Sequence, residues 1–205
     1  MVREQLVRRG IDDSRVLGAM RKVRRDAFAP ASQREFAYDD HPLPLGHGAT
    51  MSQPYIVALM TQLAAVQRGD RALDVGTGSG YQAAVLAEMG AEVFGVEIIE
   101  SLASSAQAAL GAEGFGAAEV RVGDGREGWP QRAPFDVILV AAAARTVPEQ
   151  LLTQLAVGGR IVLPLGHDGD SQVLSVITRE PGGFSERKNI PVRFVPLVQG
   201  GSPPG

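Results

Sequence analysis

The chain of 205 residues contains no cysteine, which excludes disulfide bonds, zinc–thiolate sites and thiol nucleophiles. It also lacks any apolar run near the ~20 residues that a membrane-spanning helix needs. The charged residues 1–9 do not have the apolar centre of a secretory signal. From these absences we expect a cytoplasmic protein that has no membrane partner.

The chain also lacks a strong net charge of either sign. The chain has 20 Lys and Arg against 23 Asp and Glu, which gives a net charge of −3 and a pI near 5.6. This balance gives no reason to expect nucleic acid as a partner. The hydrophobic content of 44% is typical of a globular chain. The length predicts one domain, and we expect a monomer.

The rest of the chain is organised around residues 73–81, Leu-Asp-Val-Gly-Thr-Gly-Ser-Gly-Tyr. Apolar residues lead into three glycines, Gly76, Gly78 and Gly80, and a helix-forming run follows over residues 81–89. Glycines permit positive φ angles and let a ligand approach the main chain, while the start of a helix offers free N–H groups. The pattern predicts a strand, a tight turn and a helix that bind a nucleotide-like ligand.

The spacing and charge of this motif distinguish between nucleotides. A dinucleotide fingerprint has its third glycine at the position of Tyr81, and Asp74 would repel a pyrophosphate. A carboxylate at this position attracts a cation, and S-adenosylmethionine carries both a sulfonium and an ammonium group. Glu97, 23 residues after Asp74, stands where an acid that binds ribose is expected. A turn without a ligand, and an acid that only solvates a strand end, stay open at this point.

Strands and helices alternate through the central part of the chain, and short connections join them. This arrangement predicts an α/β fold with a doubly wound, mostly parallel, Rossmann-like sheet. Ligands bind such sheets at the carboxyl ends of the strands, where Asp74, Glu97 and Asp124 fall. The predicted strands are 72–75, 92–96, 118–122, 136–141 and 160–164, and the predicted helices are 81–89, about 99–110 and 148–155.

We expect helical segments before this core and antiparallel strands after it. Two short helices are predicted before residue 30, the first ending at Gly10 and the second starting near Asp13 or Ser14. The basic residues 21–25 are interpreted as a solvated helix face. Residues 31–51 are rich in turn formers and predict a surface loop. The C-terminal predictions are strands at 172–179 and 192–198, a turn at 181–183 and a tail at 199–205.

Several polar residues have two interpretations. Ser52 stands before Pro54 and a helix with an apolar face, so capping is favoured over catalysis on residue chemistry alone. Asp124 between two glycines could accept from an adenine amino group or simply form an Asp turn. Trp129 is expected to pack over the sheet edge or the adenine pocket. His41 and His47 have no third ligand at metal spacing, so no metal site is expected, and His47 is expected to order its loop or line a pocket.

Taken together, these motifs resemble those of the protein-L-isoaspartate (D-aspartate) O-methyltransferase family over essentially the whole chain. The Ser-Gln-Pro segment and the ending Val-Arg-Phe-Val-Pro-Leu are the most specific parts of the match. One stretch departs from the family pattern, because residues 141–145 lack the Thr and the Pro that commonly flank the alanines there. The matching segments are 1–6, 9–11, 16–20, 42–48, 50–55, 73–81, 123–125, 128–129, 133–136 and 191–197.

The resemblance implies an enzyme that uses S-adenosylmethionine to methylate the α-carboxyl group of L-isoaspartyl residues in damaged proteins and peptides. It implies that Ser52 is the active-site serine, which reverses the preference for capping. The implied division is an N-terminal part over 1–50, a cofactor-binding core over 51–165, strands over 166–198 and a tail. The implied cofactor residues are Gln53, Pro54, Tyr55, Asp74, Gly76, Thr77, Gly78, Gly80, Glu97, Ile98, Asp124 and Gly125, and the implied substrate residues are His47, Arg193 and Val195.

Three other classes stay open. A methyltransferase on the same scaffold could act on a different carboxylate acceptor. An NAD-dependent oxidoreductase is opposed by the glycine spacing and by Asp74. A non-catalytic relative that keeps the pocket is opposed by Ser52 and the intact glycines.

Overall fold

The computed structural model describes residues 1–166 and 172–199. It begins with a π-helical turn, Val2–Leu6, and a 3-10 turn, Val7–Arg9, that ends at Gly10 with a φ of +89°. Helix α1, Ser14–Lys22, follows, and the Asp13 carboxylate caps it by accepting from two main-chain N–H groups. The predicted N-terminal helices and the end of the first at Gly10 are confirmed.

The predicted loop over residues 31–51 is wrong in part. A 3-10 helix occupies Ala31–Phe36, and strands β1, Leu43–Gly46, and β2, Ala49–Met51, pair as an antiparallel hairpin. The tip of the hairpin is His47, whose φ is +51°, between two glycines that also have positive φ angles. The strands are short, and their turn residues and prolines hide the apolar alternation from a sequence reading.

The core follows the predicted order of strands and helices. The helices are α2 Pro54–Ala64, α3 Tyr81–Glu88, α4 Glu100–Ala112 and α5 Glu149–Gln154. The strands are β3 Arg71–Val75, β4 Glu92–Glu97, β5 Glu119–Val122, β6 Phe135–Val140, β7 Leu155–Leu165, β8 Gln172–Glu180 and β9 Gly183–Val192. These seven strands form one sheet in the order β5-β4-β3-β6-β7-β8-β9, with β3–β7 parallel and the last two pairs antiparallel. The predicted Rossmann-like fold is confirmed.

The C-terminal prediction needs one correction. The turn at Pro181 and Gly182 is confirmed, but the strand that follows it is β9, and the predicted strand over 192–198 is wrong because β9 ends at Val192. Most of β9 is exposed, so its sequence lacks the apolar alternation that marks a buried strand. Residues 193–198 instead run beside the segment after β6, where the Ala143 N–H donates to the Val195 carbonyl over 2.8 Å. The predicted tail from residue 200 onward lies outside the described residues.

Alternate side chains of the central strands face two apolar layers. On β6, Val137 and Leu139 join the layer formed with α1, α2 and α3, while Ile138 and Val140 face the other layer. Because both faces of the sheet are covered, these strands are buried on both sides. Ala72 faces the first layer, and so does the side chain two positions later, Asp74. In the part of the chain that the structure describes, no helix is both long and apolar enough to cross a membrane.

Candidate active site

A pocket opens at the carboxyl ends of β3 and β6, where a parallel sheet of this kind binds ligands. Three parts of the chain surround it: the end of the hairpin, the face of α2 and the turn between β3 and α3. Its lining residues are Thr50, Met51, Ser52, Val57, Met60, Asp74, Gly76, Thr77, Gly78, Ser79, Tyr81, Gln82, Leu139 and Ala141.

The glycine turn has the conformation that its sequence predicts. Gly76, Gly78 and Gly80 have φ angles of +78°, +55° and +87°. The Gly76 N–H donates to the carbonyl of Val96 on β4 over 2.8 Å, and the Thr77 hydroxyl donates to the Asp74 carbonyl over 3.0 Å. These bonds hold the main chain of the turn in place beneath the pocket.

Asp74 is the electrostatic centre of the pocket. Its side chain is fully buried, and neither carboxylate oxygen has a hydrogen-bond partner in the part of the chain that the structure describes. Burial, together with the nearby charge of Glu97, raises the pKa of Asp74 from 3.8 to about 7. A carboxylate in this environment is stabilised by a positive charge that reaches it from the pocket.

Glu97 holds the same turn from the end of β4. One of its carboxylate oxygens accepts from the Gly78 N–H over 2.8 Å, and the other accepts from the Ile99 N–H over 3.0 Å. The side chain is only 5% exposed. The acid therefore fixes the glycine turn relative to β4.

Ser52 also lines the pocket and lies in the chain between β2 and α2. Its carbonyl accepts from the Nη2 of Arg25 over 2.7 Å. The N-cap of α2 is Gln53, and no side chain caps this helix, so the expectation that Ser52 is the N-cap is wrong. With Pro54 at the first helical position, one of the N–H groups that a cap would satisfy is missing. The hydroxyl of Ser52 is consequently not committed to the helix.

Comparison with known proteins identifies the family. The profile of the protein-L-isoaspartate (D-aspartate) O-methyltransferase family matches residues 1–202. The chain belongs to this family. Named relatives include the protein-L-isoaspartate O-methyltransferase of Gloeobacter violaceus, 52% identical over 97% of both chains, and that of Opitutus terrae, 52% identical over 97% of this chain and 85% of the other.

Solved structures of the isoaspartate methyltransferase family agree with this assignment. A Plasmodium falciparum structure of this description, in complex with S-adenosyl-L-homocysteine, is 29% identical, covers 96% of both chains and has a TM-score of 0.84. A second structure, named protein-L-isoaspartate O-methyltransferase, is 26% identical with a TM-score of 0.85 and covers 98% of this chain and 67% of the other.

The family's implied cofactor residues divide into two groups in this structure. Asp74, Gly76, Thr77 and Gly78 line the pocket, and Glu97 contacts the glycine turn from behind. The others do not line it: Gly80 precedes α3, Ile98 follows β4, Pro54 starts α2, and Gln53, Tyr55, Asp124 and Gly125 contact other parts of the chain.

Gln53 and Tyr55 contact the N-terminal region. The Gln53 side-chain amide donates to the Asp40 carbonyl over 2.8 Å, and the guanidinium of Arg9 lies 3.6 Å from the centre of the Tyr55 ring. Arg9 also pairs with the Asp40 carboxylate at 2.8 Å. These side chains therefore hold the segment before the hairpin against the start of α2, and their cofactor roles stay predictions.

Asp124 forms the Asp turn that its sequence allowed. Its carboxylate accepts from the Arg126 N–H over 2.9 Å, caps the 3-10 helix Gly125–Glu127 and pairs with the Arg126 guanidinium. Gly125 is required by packing, because a Cβ there would lie 2.4 Å from Cγ1 of Val75. The adenine role of Asp124 stays a prediction.

Trp129 packs edge-on against Phe94 with ring centres 5.8 Å apart, which confirms packing against the sheet.

The implied substrate residues are spread around the rim. The Nε2 of His47 lies 3.3 Å from the Ser101 hydroxyl at the start of α4, which ties the hairpin tip to that helix. Arg193 and Val195 are exposed beside the segment that follows β6. His41 lies next to Asp39 and the Pro42 carbonyl. Within residues 1–166 and 172–199, no cluster of three or more His, Asp or Glu side chains could hold a metal ion.

Two residues of α2 line the pocket, Val57 and Met60. The family resemblance implies that the segment from Gln53 to Val57 lies against the cofactor, so of these two only Met60 was not predicted. Its place on the apolar face of the helix was the available signal. The interpretation of residues 21–25 as a solvated face is wrong for Arg25. This side chain is fully buried, with its Nε donating to the Ala37 carbonyl over 2.6 Å.

Proposed function

We propose that this chain transfers a methyl group from S-adenosylmethionine to the α-carboxylate of L-isoaspartyl residues in damaged proteins and peptides, and that Ser52 orients the acceptor. Family membership over residues 1–202 carries the reaction class. The observation that carries the site assignment is a pocket lined by both a buried, unpaired carboxylate and a serine that caps no helix.

The residues of the pocket fit the cofactor. Asp74 presents two oxygens without partners to a ligand that carries positive charge, and the glycine turn leaves its main chain accessible. Asp74, Gly76, Thr77 and Gly78 would hold the cofactor, with Glu97 supporting the turn. When bound, S-adenosylmethionine supplies a methyl group on a positively charged sulfur, which a carboxylate oxygen can accept.

The acceptor does not need a general base. A carboxylic acid with an ordinary pKa near 4 is ionised at neutral pH, so no proton has to be removed before the transfer. The protein's task is to place one oxygen in line and to hold the other. The Ser52 hydroxyl can donate a hydrogen bond to that second oxygen.

The methyl ester changes the chemistry of the damaged residue. Methylation converts the carboxylate into an ester with an alkoxide leaving group, so the neighbouring amide nitrogen can close a succinimide ring without the enzyme. Hydrolysis of that ring can restore an ordinary aspartyl residue, which is the repair that the family name implies.

The proposed function also covers the residues that contact the peptide, the oligomeric state of the enzyme and its partners. His47, Arg193 and Val195 are proposed to contact the peptide, and the enzyme is proposed to act as a cytoplasmic monomer without nucleic-acid or membrane partners. The net charge of −3 supports the absence of a nucleic-acid partner. Light scattering should give a mass near 21.6 kDa for the monomer; a mass twice as large would contradict that part.

The substrate class is tested with matched peptides that contain isoaspartyl or aspartyl at one position. We expect methyl transfer from labelled S-adenosylmethionine to the isoaspartyl peptide alone. Labelling of both peptides, or of neither, would contradict the assignment.

The redox alternative is tested by measuring the unfolding temperature with S-adenosylhomocysteine and with NAD. An increase with NAD alone would support that alternative.

The role of Ser52 is tested by Ser52→Ala. We expect kcat to fall about 10- to 100-fold, because a hydrogen bond to a charged group contributes roughly 1.5–3 kcal/mol. The affinity for S-adenosylhomocysteine, measured by calorimetry, should stay near that of the wild type. Ser105→Ala, on the exposed side of α4, is the control and should keep full turnover. Unchanged turnover in Ser52→Ala would refute the role.

A further inference from the structure

Arg25 bonds to both ends of the segment that carries the hairpin and Ser52. Its Nε donates to the Ala37 carbonyl over 2.6 Å, and its Nη2 donates to the Ser52 carbonyl over 2.7 Å. Residues 37 and 52 flank the hairpin β1–β2 in sequence. One guanidinium thus closes a loop of the chain and restrains the main chain at Ser52.

The environment of Arg25 is unusual for a residue that serves only the fold. The side chain is fully buried, and it forms no ion pair with an acidic side chain of the described residues. Burial lowers the pKa of Arg25 to about 10. A buried charge without an opposite charge is costly, and an apolar side chain of similar volume is often at least as stabilising.

The guanidinium lies directly behind the pocket. Its Cζ is 4.8 Å from the centre of the Tyr81 ring, and both Tyr81 and Ser52 line the pocket. The third nitrogen, Nη1, is buried without a hydrogen-bond partner among the residues that the structure describes. The guanidinium therefore touches the pocket lining at two places, Tyr81 at the start of α3 and the main chain of Ser52.

We propose that Arg25 is a positioning residue for methyl transfer: its guanidinium bridges the Ala37 and Ser52 carbonyls and thereby fixes the direction of the Ser52 hydroxyl. The proposal rests on the role assigned to Ser52 under the proposed function. It requires the planar fork of arginine, whose diverging N–H groups reach two acceptors at once. The compact ammonium of a lysine cannot reproduce that arrangement.

The first experiment compares Arg25→Lys with the control Arg24→Gln, whose side chain is exposed and pairs with Asp26 at the surface. With an isoaspartyl peptide we expect kcat of Arg25→Lys to fall about tenfold or more, since small displacements of a positioning group are costly in turnover. The Kd for S-adenosylhomocysteine should stay near the wild-type value. Arg24→Gln should keep both values. A loss of cofactor affinity as large as the loss of kcat would overturn the proposal.

A double-mutant cycle decides whether Arg25 acts through Ser52. In the Ser52→Ala background, Arg25→Lys should have little further effect on kcat, because the group that it positions is gone. The same fold-loss of kcat in both backgrounds would overturn the proposal and leave the role of Ser52 intact. If Ser52→Ala alone kept full turnover, the role of Ser52 itself would fail, and that result is distinguishable from the first.

Folding of the variants is checked by calorimetric binding of S-adenosylhomocysteine. Arg25→Gln is the second variant, because it removes the buried charge and keeps a planar amide donor. If Arg25→Lys does not fold, the cycle with Ser52→Ala is carried out on Arg25→Gln, with the same expectation. Loss of folding in both variants would overturn the proposal, since Arg25 would then be needed for the fold rather than for the serine.

Discussion

The two sides of the pocket differ in how the chain builds them. The glycine side, residues 74–82, comes from one continuous stretch whose geometry is set by positive φ angles and bonds to β4. The hairpin side, residues 50–52, depends on a distant residue, Arg25, for its main-chain position. Under the proposed function, the first side would present the Asp74 carboxylate to the cationic cofactor, and the second would present the Ser52 hydroxyl to the acceptor. The proposed cofactor site would then rest on local geometry, and the proposed acceptor site on a long-range contact.

The largest expected effect concerns the pH dependence of the glycine side. The folded protein raises the pKa of Asp74 from 3.8 to about 7, so the folded state binds this proton more tightly than the unfolded state. The resulting contribution to stability is complete below about pH 4 and is lost as the pH rises through 7. Between pH 5 and pH 8 the ligand-free protein should lose about 3 kcal/mol from this group, at about 1.4 kcal/mol per pKa unit.

Urea unfolding of the wild type and of Asp74→Asn at both pH values measures this contribution. The neutral variant should gain stability relative to the wild type as the pH is raised. A difference between the two proteins that stays constant from pH 5 to pH 8 would contradict the raised pKa of Asp74.

The next largest effect is expected for cofactor affinity, which a variant on the glycine side should lower and a variant on the hairpin side should not. Asp74→Ala should weaken binding of S-adenosylmethionine about 100-fold, because removal of one partner of a buried charge pair costs roughly 2–5 kcal/mol. Ser52→Ala should leave that affinity nearly unchanged, which makes it the matched variant from the hairpin side. Calorimetric titration measures both. Wild-type affinity in Asp74→Ala would show that the carboxylate does not bind the ligand.

A smaller effect is expected where the two sides touch. Gly78 has a φ of +55°, and a Cβ there would lie 3.2 Å from Cδ1 of Leu45 on the hairpin. Gly78→Ala should therefore destabilise the protein by about 1–2 kcal/mol. Gly111→Ala, in helix α4 with open space around it, is the control and should be neutral or stabilising. Equal changes in the thermal unfolding of both variants would contradict the structural account of the turn.

The smallest effect is expected at the tip of the hairpin. His47 has a φ of +51°, and its ring nitrogen approaches the Ser101 hydroxyl at 3.3 Å. His47→Gly relieves the backbone conformation and removes that contact, so the unfolding free energy should change by no more than about 0.5 kcal/mol. Urea unfolding tests this expectation, with Ser101→Ala as the variant that removes the contact alone. A loss above about 1 kcal/mol in both variants would show that the contact holds the hairpin.

Parts of the structure that are formed by residues close together in sequence could be predicted, and parts that depend on distant partners could not. The motif around Asp74 encodes its turn through glycines that are close together in sequence, so the strand, the turn and the helix follow from residue chemistry. The mostly parallel sheet follows in the same way from buried strands that alternate with helices. The hairpin at residues 43–51 and the strand β9 could not be predicted, because pairing with a partner strand, rather than their own apolar alternation, creates them.

The order of the core elements, the conformation of the glycine turn and the place of Asp74 at the end of β3 all follow from the amino-acid sequence, since each depends on neighbouring residues. The burial of Arg25 behind the pocket, while Arg24 beside it faces solvent, became visible only in the folded chain. The same holds for the hydroxyl of Ser52, which caps no helix. The burial of Arg25 and the state of the Ser52 hydroxyl both depend on where distant carbonyls and helix ends lie in the folded chain. The residues of a short segment do not determine such long-range contacts.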